Sequence, residues 1–286
     1  MAPTPEVISE KEEMRKWSRS MRAQGKRIGL VPTMGFLHAG HLSLVAQARA
    51  HSDVVVVSIY VNPVQFGPTE DLATYPSDFD GDLRKLTALP GSVDVVFHPP
   101  NLYDYGGGHE SWVRVEKLEL GLCGKSRPLF FRGVATVVMK LFHIVEPDVA
   151  LFGKKDYQQW RIIQRMVRDL DFSIKVIGAE IIRDNDGLAM SSRNVHLSPE
   201  EREKALSINK SLLKAKSAAK DGQVHCEKLQ NLAIKCITDA GGRIDYAEIV
   251  TQNNLEKVEQ IKGPVVFCVA AWFGKVRLVD NMEINL

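Results

Sequence analysis

Residues 53–61 read DVVVVSIYV, a β-branched run with no polar alternation. A strand with one wet face alternates apolar and polar side chains. A strand without alternation is covered on both faces, the condition of a parallel sheet clad by helices. That run therefore demands helices before and after it, and the flanking sequence supplies them. Residues 9–24 carry Met14, Trp17 and Met21 on one helical stripe, closed by Gly25. A short apolar strand follows from Ile28, and its ladder is expected to stop at Pro32, which has no N–H to give. Helices are then expected over residues 38–51, 78–88, 133–145 and 157–170. Strands are expected over 93–97, 148–152, 174–177 and 179–182, with an extra one at 112–115. Strand alternating with helix from residue 27 to about 180 is the pattern of a Rossmann-like, doubly wound parallel sheet.

The pattern changes after the loop 183–194. Ser198-Pro199-Glu200-Glu201 is a capping box with proline at the first helical position. Two helices, to about 220 and over 224–240, precede three strand-like runs at 244–251, 265–272 and 276–284. The expected organisation is α/β, with residues 1–182 as a Rossmann-like domain and 183–286 as a smaller α+β domain able to close over it. A chain of 286 residues is long enough for both.

Composition narrows the class. A formal charge of +2 gives no electrostatic case for nucleic acid or an anionic membrane. No apolar run approaches a membrane span, and the first residues, MAPTPEVISEKEEMRKW, lack the apolar core of a signal peptide. Cys123, Cys226, Cys236 and Cys268 show no C-x-x-C spacing, so four free thiols in a reducing cytoplasm are expected.

Chemistry concentrates at expected strand ends. After the first strand come Thr33, Met34 and a turn at Gly35, then His38, Ala39, Gly40 and His41 at the start of a helix. His38 and His41 are three apart and share a face of its first turn. Free N–H groups and the positive dipole end make such a turn attractive to phosphate. The next loop offers Gln65. The turn Gly153-Lys154-Lys155-Asp156 leads to Gln159, and Met190-Ser191-Ser192-Arg193 follows the last strand. Hydroxyls beside a guanidinium supply several phosphate donors. Open α/β sheets gather such loops over one crevice. Gly124-Lys125-Ser126 is not a P-loop, because Glu119 stands where that pattern needs glycine.

Strand, glycine turn and H-x-G-H resemble the HIGH motif of the nucleotidylyltransferase and class I aminoacyl-tRNA synthetase superfamily. PTMGFLHAGH, VSIYVNPVQFGPTEDLATYP, FRGVATVVMKLF, DVALFGKKDYQQ and DGLAMSSRN together resemble successive motifs of the pantothenate synthetase (pantoate–β-alanine ligase) family. MSSR resembles that family's counterpart of the synthetase KMSKS loop. The resemblance implies ATP contacts from Met34, Gly35, His38, Gly40, His41, Gly153, Lys155, Asp156, Ile182, Met190, Ser191, Ser192 and Arg193. It implies pantoate and β-alanine contacts from Thr33, Met34, Gln65 and Gln159, and catalytic roles for His41, His38, Lys155 and Arg193. It also implies a homodimer and Mg²⁺, with Asp82 the nearest match for its ligand beside Asp78 and Asp80. Lys154 stands where the family often has Glu or Gln, and residues 101–111 form a longer insertion than usual. The implied reaction is an ATP-dependent condensation of pantoate with β-alanine through pantoyl adenylate. Two other readings remain from sequence: a nucleotidylyltransferase with the same site, and a non-catalytic nucleotide or RNA binder.

Overall fold

The computed structural model describes residues 4–286, apart from residues 90, 92, 105 and 107. The first part of the chain runs β1 (Glu6–Ile8), α1 (Lys11–Ala23), β2 (Ile28–Thr33), α2 (Ala39–His51), β3 (Val54–Ile59), α3 (Phe79–Thr87) and β4 (Val95–Phe97). It continues with α4 (Cys123–Ser126), α5 (Phe130–Val145), β5 (Val149–Gly153), α6 (Tyr157–Asp169) and β6 (Lys175–Ala179). The six strands form one parallel sheet in the order β1-β4-β3-β2-β5-β6. Successive strands leave β2 toward one edge and then, from β5, toward the other. The topological switch point therefore lies between β2 and β5, where open sheets bind ligands.

The valine run explains the layers. Val54 and Val56 pack in a core shared with Met14 of α1, Val134 of α5 and Ile162 of α6. Val55 and Val57 point the other way, into a core with Val45 of α2 and Leu86 of α3. All four valines are at most 4% exposed. Burying each is worth roughly 1.5–3 kcal/mol, so both helical layers are held by the same strand.

The remainder forms α7 (Pro199–Lys220), α8 (Cys226–Asp239), β7 (Arg243–Thr251), β8 (Val265–Phe273) and β9 (Val276–Ile284). The capping box expected at Ser198 is present, with reciprocal bonds between Ser198 and Glu201. These three strands are antiparallel, in the order β7-β8-β9. Their apolar face meets α7 and α8 through Phe267, Leu212 and Ile237. Val250, Val266 and Cys268 turn instead into the core beneath the parallel sheet.

Three local expectations need correction. Pro32 does not end its strand. Pairing with β5 stops at Leu30, but pairing with β3 continues through Pro32↔Ser58 to Thr33↔Ile59, so one neighbour suffices to carry the strand on. Residues 112–115 form no strand. Val113 N–H donates to Thr136 Oγ1 at 3.0 Å instead of joining a ladder. Residues 179–182 are not a separate strand either. β6 ends at Ala179 because its partner β5 ends opposite it, at Gly153. β1 carries no periodic signal in its three residues and was not foreseen. Within the expected glycine-rich loop 103–109, residues 105 and 107 lie outside the described residues.

Candidate active site

A cavity of about 230 Å³ opens at the switch point. One wall is the start of α2. His38 is the N-cap of that helix, and its Nδ1 accepts the Gly40 N–H at 3.2 Å. His41 Nδ1 accepts the His38 N–H at 3.3 Å, closing a capping box built from two imidazoles. The rings lie 4.0 Å apart, centre to centre. An accepting Nδ1 leaves the proton on Nε2, so each neutral ring keeps one N–H donor free of the helix. Burial, with help from the Lys155 charge, lowers the His38 pKa to about 4. Burial and then its neighbours His38 and Lys155 depress His41 well below its ordinary value. The two histidines are therefore neutral donors before any ligand arrives.

The turn before α2 is tightly held. Gly35 has φ +83°, and Phe36 takes φ 51°, left-handed backbone that is costly for an aromatic residue. Asp82 offsets that cost: its two carboxylate oxygens accept the Phe36 and Leu37 N–H groups at 2.7 and 2.6 Å. Lys85 Nζ donates to the Leu37 carbonyl at 2.7 Å. Asp82 is 1% exposed and lies outside the cavity wall. In this structure the Asp82 oxygens, expected at a magnesium ion, are instead engaged with backbone amides of the histidine turn.

The opposite wall comes from the ends of β5 and β6. Gly153, Lys155, Asp156 and Gln159 line the cavity, as do Glu180 and Ile182. Among the described residues Lys155 has only a loose pair, Asp156 at 3.7 Å. Lys154, by contrast, is not part of the lining and pairs with Glu180 and Glu283. Gln158 is structural: it bonds the Leu118 and Gly121 carbonyls, each at 2.8 Å, and the Cys123 amide at 3.0 Å. Its neighbour Gln159 is left to the cavity.

The third wall is the loop after β6. The Met190 N–H donates to the Ile182 carbonyl at 3.0 Å, returning the chain to the cavity. Met190, Ser191, Ser192 and Arg193 all line it. The Ser192 hydroxyl donates to the Phe36 carbonyl at 3.1 Å and so joins this loop to the histidine turn. Arg193 forms a bidentate pair with Asp71, at 2.6 and 3.0 Å, over the Tyr75 ring. Although burial opposes its charge, the Asp71 carboxylate raises the Arg193 pKa above its usual value. Arg127 is likewise paired, with Glu70.

The far end is less polar. Val134, Val137, Val138 and Leu141 of α5 face it. Gly133 lets α5 sit directly on the 3₁₀ turn Pro63–Gln65; a Cβ there would lie 2.7 Å from the Val64 carbonyl oxygen. Asn62 Nδ2 donates to Gln65 Oε1 at 2.9 Å and to the Gly133 carbonyl at 3.1 Å. Gln65 Nε2 is directed at the Met34 sulfur, 3.3 Å away. Asn62 Oδ1 is buried without a partner, an acceptor that a ligand donor would satisfy. Thr33 lines the cavity, but its hydroxyl is engaged with the Ser58 carbonyl at 2.8 Å.

All the expected site residues except Gly35 and Asp82 thus meet at one cavity. Sequence reasoning missed Asn62, Tyr75, Arg127 and Glu180. Asn62 shares a loop with Gln65 and was open to inference. Tyr75 sits within the motif VSIYVNPVQFGPTEDLATYP but was not singled out, and nothing local marks Arg127.

The Pantoate-beta-alanine ligase family model matches residues 6–283. A pantoate–β-alanine ligase of Lotus japonicus is 74% identical, covering 99% of both chains. That of Arabidopsis thaliana is 63% identical over the same shares. The crystal structure of a pantothenate synthetase from Thermus thermophilus superposes with a TM-score of 0.91 at 39% identity, covering 98% of this chain and all of the other. A pantoate-beta-alanine ligase from Francisella tularensis, complexed with beta-gamma ATP and beta-alanine, gives 0.80 at 34% identity over 97% of each chain. These matches span the whole α/β and α+β arrangement and set aside the nucleotidylyltransferase and RNA-binding readings: the chain belongs to the pantoate–β-alanine ligase family.

Proposed function

We propose that this ligase condenses pantoate with β-alanine in two steps within the one cavity, driven by ATP cleavage. The pantoate carboxylate attacks the α-phosphorus of ATP, the bond to the β-phosphate oxygen breaks, and pyrophosphate leaves. The neutral amine of β-alanine then attacks the acyl carbon of pantoyl adenylate. AMP departs, the nitrogen loses a proton, and the amide of pantothenate remains. A carboxylate is already nucleophilic, so the first step needs positioning and placed charge more than an activated side chain.

The observation that supports this reading is the convergence of three anion-ready walls: the His38–His41 turn, the Lys155 turn and the loop 190–193. The Nε2–H groups of His38 and His41 would donate to phosphate oxygens, with His41 nearest the reacting phosphorus. Lys155, with its loose partner, would pair with the triphosphate. Arg193 would exchange Asp71 for phosphate oxygens. Met34, Gly40, Gly153, Ile182, Met190, Ser191 and Ser192 would complete the nucleotide site, with Gly35 shaping the turn. Pantoate would lie against the α5 valines, bonded by Gln65 and Gln159 beside Thr33 and Met34. The unpartnered Asn62 Oδ1 would accept from the β-alanine ammonium or a pantoate hydroxyl.

Magnesium fits as an ion that arrives with the triphosphate. Among the described residues no cluster of three His, Cys, Asp or Glu side chains could hold a metal. Mg²⁺ keeps several waters and binds through substrate phosphates with one or two carboxylates. Asp156, half-exposed at the cavity, would hold it in place of Asp82. When bound, it supplies positive charge against the phosphates.

We also propose that residues 1–182 and 183–286 act as two domains, the second closing to keep water from the mixed anhydride. The chain is proposed to be a homodimer, tested by sedimentation equilibrium. Among the described residues no helix is long and apolar enough to cross a membrane. Four free cysteines support a reducing compartment, the cytoplasm, which cell fractionation tests.

The deciding experiment is pyrophosphate exchange into ATP. It should require pantoate and Mg²⁺ but not β-alanine, and the denatured protein should carry no adenylyl label. Exchange that needs β-alanine would overturn the two-step order, and a labelled protein would point to a covalent intermediate.

A further inference from the structure

No residue beyond Arg193 lines the switch-point cavity, yet the antiparallel sheet reaches the backbone of the Lys155 turn through the side chain of Asn281. Asn281, on β9, is 5% exposed. Its single amide nitrogen donates to two consecutive carbonyls, Lys154 O at 2.8 Å and Lys155 O at 2.9 Å. Those residues form the 3₁₀ turn Lys154–Asp156 that carries the Lys155 ammonium into the cavity. A turn of that length has few internal bonds of its own, so its carbonyls need outside donors. Both protons of one amide fix two successive peptide planes, and with them the direction in which the Lys155 side chain leaves the backbone.

β9 itself is anchored at that place. Asp280 Oδ1 accepts the Asn281 N–H at 2.8 Å, and Arg183 clamps the Asp280 carboxylate at 2.7 and 2.9 Å. Successive residues of a strand point to opposite faces. Asp280 thus pins the strand from one side while Asn281 holds the turn on the other. Glu283, two residues on, accepts from Lys154 Nζ at 3.1 Å and from Tyr157 Oη at 2.9 Å, and so ties the flanks of the same turn.

We infer that Asn281 is a positioning residue for adenylation: it sets the Lys155 ammonium against the triphosphate by holding the Lys154 and Lys155 carbonyls. It touches no substrate. The inference rests on the proposed role of Lys155 as a phosphate ligand.

The test is a double-mutant cycle on pyrophosphate release in single turnover. Asn281→Asp keeps the shape but turns acceptors toward two carbonyls. It should slow release about a hundredfold, the scale of a small misplacement of a reacting group. Asn281→Ala should slow it less, and in both the KM for pantoate should hold. In a Lys155→Ala background Asn281→Asp should add almost nothing, because the group it positions is gone. Losses that multiply in full would overturn the inference while leaving Lys155 its role. A Lys155→Ala enzyme with unchanged rate would overturn the reading of Lys155 itself, and the inference with it. Thermal melts accompany each variant. Should Asn281→Asp fail to fold, the cycle runs on Asn281→Ala, and a rise in KM for both substrates in step with lost melting temperature would mark a purely structural residue.

Discussion

The carboxyl edge of the parallel sheet and the edge strand of the antiparallel sheet both serve the cavity, but through different atoms. Loops after β2, β3, β5 and β6 send side chains into it. β9 sends none, and instead bonds backbone carbonyls of the Lys154–Asp156 turn and the Arg183 guanidinium. The difference follows from topology. Parallel strands end side by side, so unrelated loops are brought face to face at the switch point. An antiparallel edge strand offers a stiff row of side chains at fixed spacing, better suited to holding a neighbouring backbone than to surrounding a ligand. Chemistry can therefore be lost at one edge by removing a donor and at the other only by moving one.

The sharpest break should come at His41. His41→Ala removes a preorganised donor from the parallel edge and should reduce pyrophosphate release by roughly 2.7–4 kcal/mol of transition-state stabilisation. The helix should survive, because His38 still accepts the Gly40 amide. His41→Gln, which can offer an N–H at a similar reach, should recover part of the rate. Turnover near that of the parent in a folded His41→Ala enzyme would remove the residue from the chemistry.

Arg193 should rank next. Its fork already fits a carboxylate, Asp71, and a phosphate presents the same paired oxygens. Arg193→Ala should cost about 1.5–3 kcal/mol in the first half-reaction, the range for hydrogen bonds to charged groups. Arg193→Lys should restore only part, since lysine keeps the charge and loses the fork. Stopped-flow detection of pyrophosphate decides, and complete rescue by lysine would show that the planar geometry is irrelevant.

Gln65→Ala should separate the two ends of the cavity. The amide lies between Asn62 and Met34. Pantoate affinity should fall by about 0.5–1.5 kcal/mol, one neutral hydrogen bond, with ATP affinity unchanged. Calorimetry with each ligand alone checks this. A loss confined to ATP would reverse the assignment.

How much of this was legible in sequence depends on whether the signal was local. DVVVVSIYV announced a strand covered twice, and Ser198 to Glu201 announced a helix start, because each pattern is written within a few residues. The paired histidines, Gln65, Gln159 and the loop 190–193 were legible for the same reason: each follows its own strand. Asp82 shows what sequence leaves out. An acidic side chain near the site suggests a metal, and only the fold shows its oxygens taken up by the strained Phe36 and Leu37 amides. Asn281 was beyond reach. It lies 126 positions from Lys155 in the chain, and nothing around it marks a turn two elements away. Pro32 taught a smaller lesson, that a missing donor ends pairing on one side of a strand without ending the strand.

The last effect is on stability rather than on rate or affinity, and it sharpens the contrast by resting on the parallel edge alone. His38 is held neutral: burial first, and the Lys155 charge second, lower its pKa from 6.5 to about 4. In the unfolded chain the same ring returns to its ordinary value. Between those limits the unfolded chain binds a proton that the folded chain refuses, so stability rises with pH across the window. The His38 contribution is complete above about pH 6.5 and is lost as pH falls toward about 4. His41, depressed for the same first reason, adds in the same direction. The urea midpoint should therefore drop steadily from about pH 7 to about pH 5, a range in which most carboxylates stay ionised. His38→Gln keeps a polar cap at α2 without a titrating ring, and should flatten part of that slope. Bound triphosphate should act in the opposite sense, since negative charge beside the ring favours its protonated form. NMR titration of the His38 ring follows both. A His38 that protonates near its ordinary value in the free enzyme would show that the ring is solvated, and would remove the neutral donor from the proposed phosphate site.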